Sequence, residues 1–306
     1  MITCKISLNC QTGFLTPFQA DTVFGHLCWA LAHTKGEKAL EEFLQPFIDR
    51  DPPFIISDGF PDGSPADPTD GYFPKPLSVD LVAETNLLPA EAKEMKKIDL
   101  LSRDDFSRAI GGQAFAPRYE ELSKQYATPH NRISRMTNTT PAEGGLYSLP
   151  EYFVSRVAIY LKVLSKETEG HFVELLRELF EEIARAGYGR KKSIGKGKFS
   201  LEGIKEVSLP EVEDANGFVT FSSFCPCETD PTEGYYRTFV KFGRLGDEFT
   251  FCGNPFKRPL VMIKTGSVFK TDGRRREFYG RMVREISPAK REVVQYAYSF
   301  PVPMRL

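Results

Sequence analysis

The sequence predicts an α+β fold, and three observations carry that prediction. A strand followed by a helix opens the chain, a strand–helix–strand run follows a long irregular stretch, and the tail beyond 216 is mostly strand-like. Strand–helix, then strand–helix–strand after an insertion, is the order of a ferredoxin-like βαββαβ unit. The tail reads as a second, distorted and β-rich unit of the same kind, although no sequence repeat connects the two. The expected division is 1–207 and 208–306, with an insertion in the first unit at about 77–150.

Each element has a local reason. In residues 1–10, Ile2, Cys4, Ile6 and Leu8 alternate with polar neighbours, as a strand with one buried face does. Asp21 is placed to cap a helix whose apolar face includes Val23, Phe24, Leu27, Cys28 and Leu31. Thr22 and the first N–H groups of that helix offer an anion-friendly spot, while the plain alternative for Asp21-Thr22 is an N-cap. Residues 51–76 are rich in Pro, Gly and Asp and read as loop with short extended pieces. Residues 90–110 read as helix, and 111–150 as a polar, aperiodic stretch that is functional or disordered. Regular structure resumes with a strand over 152–164, a helix over 171–186 and a strand over 198–207. In the tail, 218–224, 236–242, 259–263 and 293–300 read as strands.

Between the helix at 171–186 and the strand at 198–207 lies the segment Gly187-Tyr-Gly-Arg-Lys-Lys-Ser-Ile-Gly-Lys-Gly-Lys-Phe199. Gly187, Gly189, Gly195 and Gly197 are interleaved with Arg190, Lys191, Lys192, Lys196 and Lys198, and no carboxylate interrupts them. Glycine admits positive φ and close backbone approach, and the cations neutralise phosphates. The loop therefore suits a polyanion held against main-chain N–H groups, or else it is a solvated basic hairpin loop. The order helix–loop–strand excludes a mononucleotide P-loop, which follows a strand and opens a helix. Spacing excludes it too, because Gly197 stands where Ser or Thr should follow Lys196. A dinucleotide fingerprint fails at Lys192.

Composition narrows the class further. The chain has 306 residues, 41% hydrophobic and 26% charged, with a formal charge of −1. Affinity for nucleic acid must then come from local patches. Acid is concentrated over 37–70 (Glu37, Glu41, Glu42, Asp49, Asp51, Asp58, Asp62, Asp67, Asp70) and base over 187–198 and 270–284. Such segregation suits a subunit with RNA on one side and protein or solvent on the other. No membrane span or signal-peptide pattern is present, and six cysteines point to a reducing cytoplasm. Cys225, Cys227 and Cys252 lack zinc spacing, and His26, His33, His130 and His171 form no metal set. No metal or cofactor is expected.

Three segments taken together carry a resemblance. They are Phe18-Gln-Ala-Asp-Thr-Val-Phe-Gly25, His130-Asn-Arg-Ile-Ser-Arg135 with Gly145-Leu-Tyr147, and Gly187–Phe199, accompanied by Phe73-Pro-Lys-Pro76 and Tyr296-Ala-Tyr-Ser-Phe-Pro301. With them the chain resembles, over nearly its full length, the RAMP superfamily of CRISPR proteins. Within it, the chain is similar to the Csm-type (type III-A) subunit that caps the 5′ end of the guide RNA. The resemblance implies two ferredoxin-like (RRM-like) domains, a glycine-rich loop gripping the repeat-derived 5′ handle, and a thumb-like hairpin from the insertion. It also implies contacts with the large palm-domain subunit and with the first backbone subunit, and with target RNA only indirectly. On this reading Asp21, Thr22, His130, Asn131, Arg132, Arg135, Gly187, Tyr188, Gly189, Arg190, Lys191, Lys192, Ser193, Gly195, Lys196, Gly197 and Lys198 line the RNA, and none is catalytic. The RNP aromatic signature of an ordinary RRM is missing, so base stacking on the sheet face is not expected.

Two other function classes stay open at this point. One is a repeat-processing endoribonuclease of the same superfamily with His26 as base, although Trp29 and Leu27 beside it argue for packing. The other is a scaffold with no affinity for RNA. Arg274-Arg-Arg276 reads as a solvated loop.

Overall fold

A computed structural model describes the chain except for residues 64–69, 82–88, 166–168 and 274, so Asp67 and Arg274 lie outside the described residues. Strand β1 (Ile2–Cys10) leads to helices α1 (Ala20–Lys35) and α2 (Glu37–Ile48), then β2 (Phe54–Pro61) and β3 (Tyr72–Pro74). Helix α3 (Pro89–Met95), β4 (Leu100–Ser102) and α4 (Arg103–Ile110) follow, then a hairpin of β5 (Lys124–Asn131) and β6 (Leu146–Phe153). Next come β7 (Arg156–Val163), α5 (Glu169–Ala186) and β8 (Phe199–Glu206). The remainder is strands: β9 (Gly217–Thr220), β10 (Gly234–Tyr235), β11 (Thr238–Lys241), β12 (Leu260–Ile263), β13 (Val268–Lys270), β14 (Tyr279–Gly280), β15 (Tyr298–Ser299) and β16 (Pro301–Met304).

The first sheet has the order β2-β7-β1-β8, with every neighbouring pair antiparallel. Helices α1 and α5 pack against each other and against its edge strands, over Cys4, Ile6 and Leu8. The opposite face is also buried. Tyr160 packs on Phe73, Lys162 lies over the Phe300 ring, and Lys5 pairs with Asp62 at 2.5 Å. The second sheet, β10-β13-β9-β16, contributes Val219, Val268 and Val302 to the same core, which is therefore continuous across residue 207. A sheet covered on both faces leaves neither face open as a platform for bases.

Several elements differ from the sequence expectation, each for a physical reason. Asp21 does not cap α1. The helix starts at Ala20, and the Ala20 N–H donates to the Asp58 carboxylate at 2.8 Å. Asp58 sits where the β2–β7 register shifts between Ile56 and Gly59, so a bulge aims a strand side chain at a helix end. Ser223 and Thr265 also donate to it. Residues 54–61 form a full strand rather than loop, because Phe54-Ile-Ile56 is buried on both faces and shows no alternation. The stretch 90–110 is two helices split by β4, the second capped by Ser102, whose hydroxyl accepts from the Asp105 N–H at 3.3 Å. The aperiodic stretch holds most of a hairpin with eight paired positions, Lys124↔Phe153 through Asn131↔Leu146. The single strand expected over 152–164 is divided between β6 and β7. In 293–300 only Tyr298 and Ser299 are strand, because Tyr296 and Tyr298 turn their hydroxyls inward to the Ile56 N–H and the Phe47 carbonyl.

Candidate nucleic-acid interface

The loop joining α5 to β8 is built on left-handed backbone. Gly187, Gly189, Gly195 and Gly197 have φ of 84°, 72°, 83° and 72°, and Lys191 joins them at 65°. Gly187 closes α5 by donating to the Ile183 carbonyl at 2.8 Å. Tyr188 is the anchor. It is buried, stacks on Phe18 with ring centroids 4.4 Å apart, and donates its hydroxyl to the Pro17 carbonyl at 2.8 Å. It therefore supports the loop from below instead of lining its open surface.

Most main-chain donors of the loop are used within the protein. Tyr188 N–H donates to the Gly197 carbonyl, Gly189 N–H to His26 Nε2 at 3.1 Å, Arg190 N–H to Thr16 Oγ1 at 3.0 Å, Gly197 N–H to the Gly13 carbonyl at 3.0 Å, and Lys198 N–H to Thr12 Oγ1 at 2.9 Å. Side-chain charge, more than an amide cradle, is left to hold a phosphate chain. The glycines divide in the same way. A Cβ on Gly197 would overlap the Tyr188 carbonyl, and one on Gly189 would come within 2.6 Å of Thr16. A Cβ on Gly195 would meet open space, so among the four this is the place where another backbone has room to approach.

The five cations also divide. Lys192 pairs with Asp247 at 3.0 Å and Lys196 with the buried Glu151 at 2.8 Å. Arg190, Lys191 and Lys198 are exposed, as is Ser193, and among the described residues none of the three cations joins an ion pair.

The hairpin reaches this surface. The His130 ring stacks on Tyr147, centroids 5.5 Å apart, and Lys191 Nζ lies 5.9 Å from the Tyr147 ring. Asn131, Arg132 and Arg135 are exposed at the hairpin turn, where the Arg132 N–H donates to the Gly145 carbonyl at 2.7 Å. Lys191 thus brings the loop to the stacked His–Tyr pair of the hairpin. Burial alone would raise the Glu151 carboxyl. Lys196, then His130 and Thr128, hold it below the usual carboxylate range. Glu151 Oε1 is 3.5 Å from His130 Nε2, so one buried carboxylate spans loop and hairpin.

Asp21 and Thr22 stand elsewhere. The Asp21 carboxylate is buried and accepts from Gln295 at 2.7 Å and Lys241 at 3.0 Å, and Lys241 also reaches the Thr22 hydroxyl at 3.2 Å. The helix end expected to attract an anion is thus filled by the protein's own groups. Arg275 and Arg276 are exposed, as a solvated loop would be, and Arg276 is also tethered, donating to the Thr229 carbonyl at 3.0 Å and lying over the Tyr279 ring.

Sequence reasoning missed Thr12, Gly13, Thr16 and Glu151. Thr12, Gly13 and Thr16 sit in a seven-residue link whose only signal was its run of small hydroxyl and glycine residues, Gln11-Thr-Gly-Phe-Leu-Thr-Pro17. On one side this link holds the glycine loop. On the other, Phe14 and Tyr152 exchange two backbone hydrogen bonds at 2.8 Å.

His26 accepts the Gly189 N–H, so it must be neutral in the fold. Burial, and then the Lys192 charge, lower its pKa to about 4, with Asp247 opposing. The sign follows: the stability this contributes is present above the unfolded value of about 6.5 and is lost as pH falls toward 4, by at most about 3 kcal/mol. Asp58 acts oppositely, because burial raises its carboxyl to about 6 and acidification then favours the fold. The test is urea unfolding of the parent and His26→Gln, which keeps an acceptor. The stability advantage of the parent should shrink steadily between pH 7 and 4, and a constant difference would contradict the acceptor role.

A description of the RAMP superfamily matches residues 11–200. The chain is 26% identical to a protein described as "CRISPR system Cms protein Csm4" from Thermococcus onnurineus, across 94% of this chain and 92% of that one. A protein of the same description from Streptococcus thermophilus is 28% identical, across 82% and 80%. The fold is similar to a chain in a crystal structure of a Csm1–Csm4 cassette with pppApA (TM-score 0.67, 20% identity, covering 100% of this chain and 99% of that one). It is also similar to a chain in a Csm3–Csm4 subcomplex of the type III-A CRISPR-Cas interference complex (TM-score 0.63, 15% identity, 100% of each). The matched span runs from the link at Gln11 through hairpin and glycine loop to β8, and on that evidence the chain belongs to the RAMP superfamily.

Proposed function

We propose that this protein is the non-catalytic guide-RNA-binding subunit of a type III-A CRISPR-Cas (Csm) interference complex. It grips the 5′ handle of the crRNA, joins the large palm-domain subunit to the backbone of RAMP subunits, and meets target RNA only through the guide. The observation that carries this reading is the contact between loop and hairpin, where Lys191 lies against Tyr147 and Lys196 pairs with Glu151, while Arg190, Lys198, Arg132 and Arg135 stand exposed on the same two segments. Phosphates are held by these cations, while His130 and Tyr147 offer a stack to a handle base. Similarity to Csm4 proteins over most of both chains supports the assignment, as does the likeness to chains found with Csm1 and with Csm3.

We read the first sheet as ferredoxin-like, because β8-β1-β7-β2 is the strand order of a βαββαβ unit. The second sheet is its distorted counterpart, and the division at 207/208 separates two units that share one core. The six thiols, none in a disulfide, suit a cytoplasmic complex. A repeat-processing ribonuclease is disfavoured, since the histidine that would serve it is tied beneath the glycine loop as an acceptor.

Native mass spectrometry of the assembly, with the bound RNA sequenced, tests the reading. One copy of this chain per guide RNA is expected, with reads sharing a common 5′ handle. Several copies per guide, or discrete cleavage of repeat RNA by the isolated chain, would overturn it.

A further inference from the structure

Across the two strands of the hairpin, β5 and β6, one residue alone is buried, and it is a carboxylate. The Glu151 side chain has no exposed surface, and a glutamate is almost never fully buried unless it is paired. Three segments build its seat. Oε2 accepts from Lys196 of the glycine loop at 2.8 Å. Oε1 faces His130 Nε2 of the opposite strand at 3.5 Å, and both of these atoms are closed to solvent. The third wall is Gly13 of the link between β1 and α1. A Cβ there would come within 2.6 Å of Oε2 and 2.8 Å of the Phe153 ring, so only glycine leaves room for this carboxylate.

The pair decides what Lys196 can do. Glu151 is held in its charged form, so a phosphate that drew Lys196 away would strand a buried anion. One phosphate contact returns only about a fourfold gain in affinity at 0.15 M salt, much less than a stranded buried charge costs. Lys196 therefore stays on Glu151 when RNA arrives, and the loop acts with one cation fewer than its sequence shows. Each cation withheld weakens attraction for any phosphate chain, while contacts to particular bases are untouched. Specificity is a difference of affinities, so it rises when the attraction shared by all RNAs is reduced.

We infer that Glu151 is a specificity-determining residue: by withholding Lys196 and seating the hairpin on the loop, it limits binding to RNA at large and favours the guide. The inference rests on the guide-binding reading above, which supplies the preferred RNA. The test compares the full parent chain with Glu151→Gln, which keeps the volume of the seat. A second variant, Glu151→Gln with Lys196→Gln, replaces the ion pair by an amide pair. The probes are the guide RNA recovered from the assembly and a scrambled RNA of the same length and composition.

In Glu151→Gln the scrambled RNA should bind about fourfold more tightly at 0.15 M salt, with a slope of log K against log salt steeper by about 0.7. Guide affinity should stay within about twofold of the parent, because the added phosphate contact is offset by the lost seat of His130. The double variant should return the slope to that of the parent, a rescue that lost packing would not produce. An unchanged slope in Glu151→Gln would overturn the inference, as would a steeper slope that persists in the double variant or an equal gain for both RNAs. Equal weakening of both RNAs with a lower melting temperature would overturn it in favour of a purely structural pair. A parent chain that does not prefer guide to scrambled RNA would overturn the guide-binding reading itself.

Discussion

Replacing Arg190, Lys191 and Lys198 together by alanine should weaken guide-RNA binding roughly 50-fold at 0.15 M salt, by counterion release at about 0.7 per phosphate contact. The slope of log K against log salt should flatten by about 2. These three are chosen because they are the loop cations without a carboxylate partner among the described residues. Lys192→Ala with Lys196→Ala is the internal control, since those charges are committed to Asp247 and Glu151. The control should leave the slope nearly unchanged while lowering the melting temperature. Filter binding across a salt series decides it. An unchanged slope in the triple variant would reduce the loop to solvated charge, and a larger change in the control would mean the ion pairs open when RNA arrives.

Gly197→Ala should collapse the loop with every cation still in place. Its φ of 72° is unfavourable for a side chain, and the added Cβ would overlap the Tyr188 carbonyl. Together these should cost about 2–4 kcal/mol. The Tyr188–Gly197 hydrogen bond would be lost, and the Phe18–Tyr188 stack disturbed. Gly195→Ala carries the same left-handed φ but adds its methyl to open space, so its folding cost should be about 1 kcal/mol. RNA separates the two further. Gly195→Ala should weaken binding in a protein that melts almost normally, whereas Gly197→Ala should lose binding and stability together. Equal melting temperatures for the two variants would refute the packing argument.

These two predictions also mark where the sequence was legible. Glycine and lysine periodicity located the loop, its left-handed backbone and its net charge, because those are local properties. The sequence could not show which cations are neutralised, since Asp247 and Glu151 lie 55 and 45 residues from their partners. It also could not show that Asp58 caps a helix beginning 38 residues earlier. The hairpin was obscured for a different reason. Lys124-Gln-Tyr-Ala-Thr-Pro-His-Asn131 projects with both faces largely wet, so no alternation marks it. Strand β2 was lost to the opposite extreme, burial on both faces. Alternation identifies strands with one apolar and one polar face, and β1 was such a strand even though Lys5 on its polar face is buried against Asp62.

The short link from Gln11 to Pro17 is stitched on both flanks, to the glycine loop through Thr12, Gly13 and Thr16, and to the hairpin through Phe14. These attachments are spaced one or two residues apart, so a single inserted or deleted residue would throw both seams out of step at once. Length, more than the identity of any one side chain, is what this segment has to preserve. Insertions here should lower the melting temperature and RNA affinity together, whereas insertions in the exposed hairpin turn should leave the melting temperature near that of the parent.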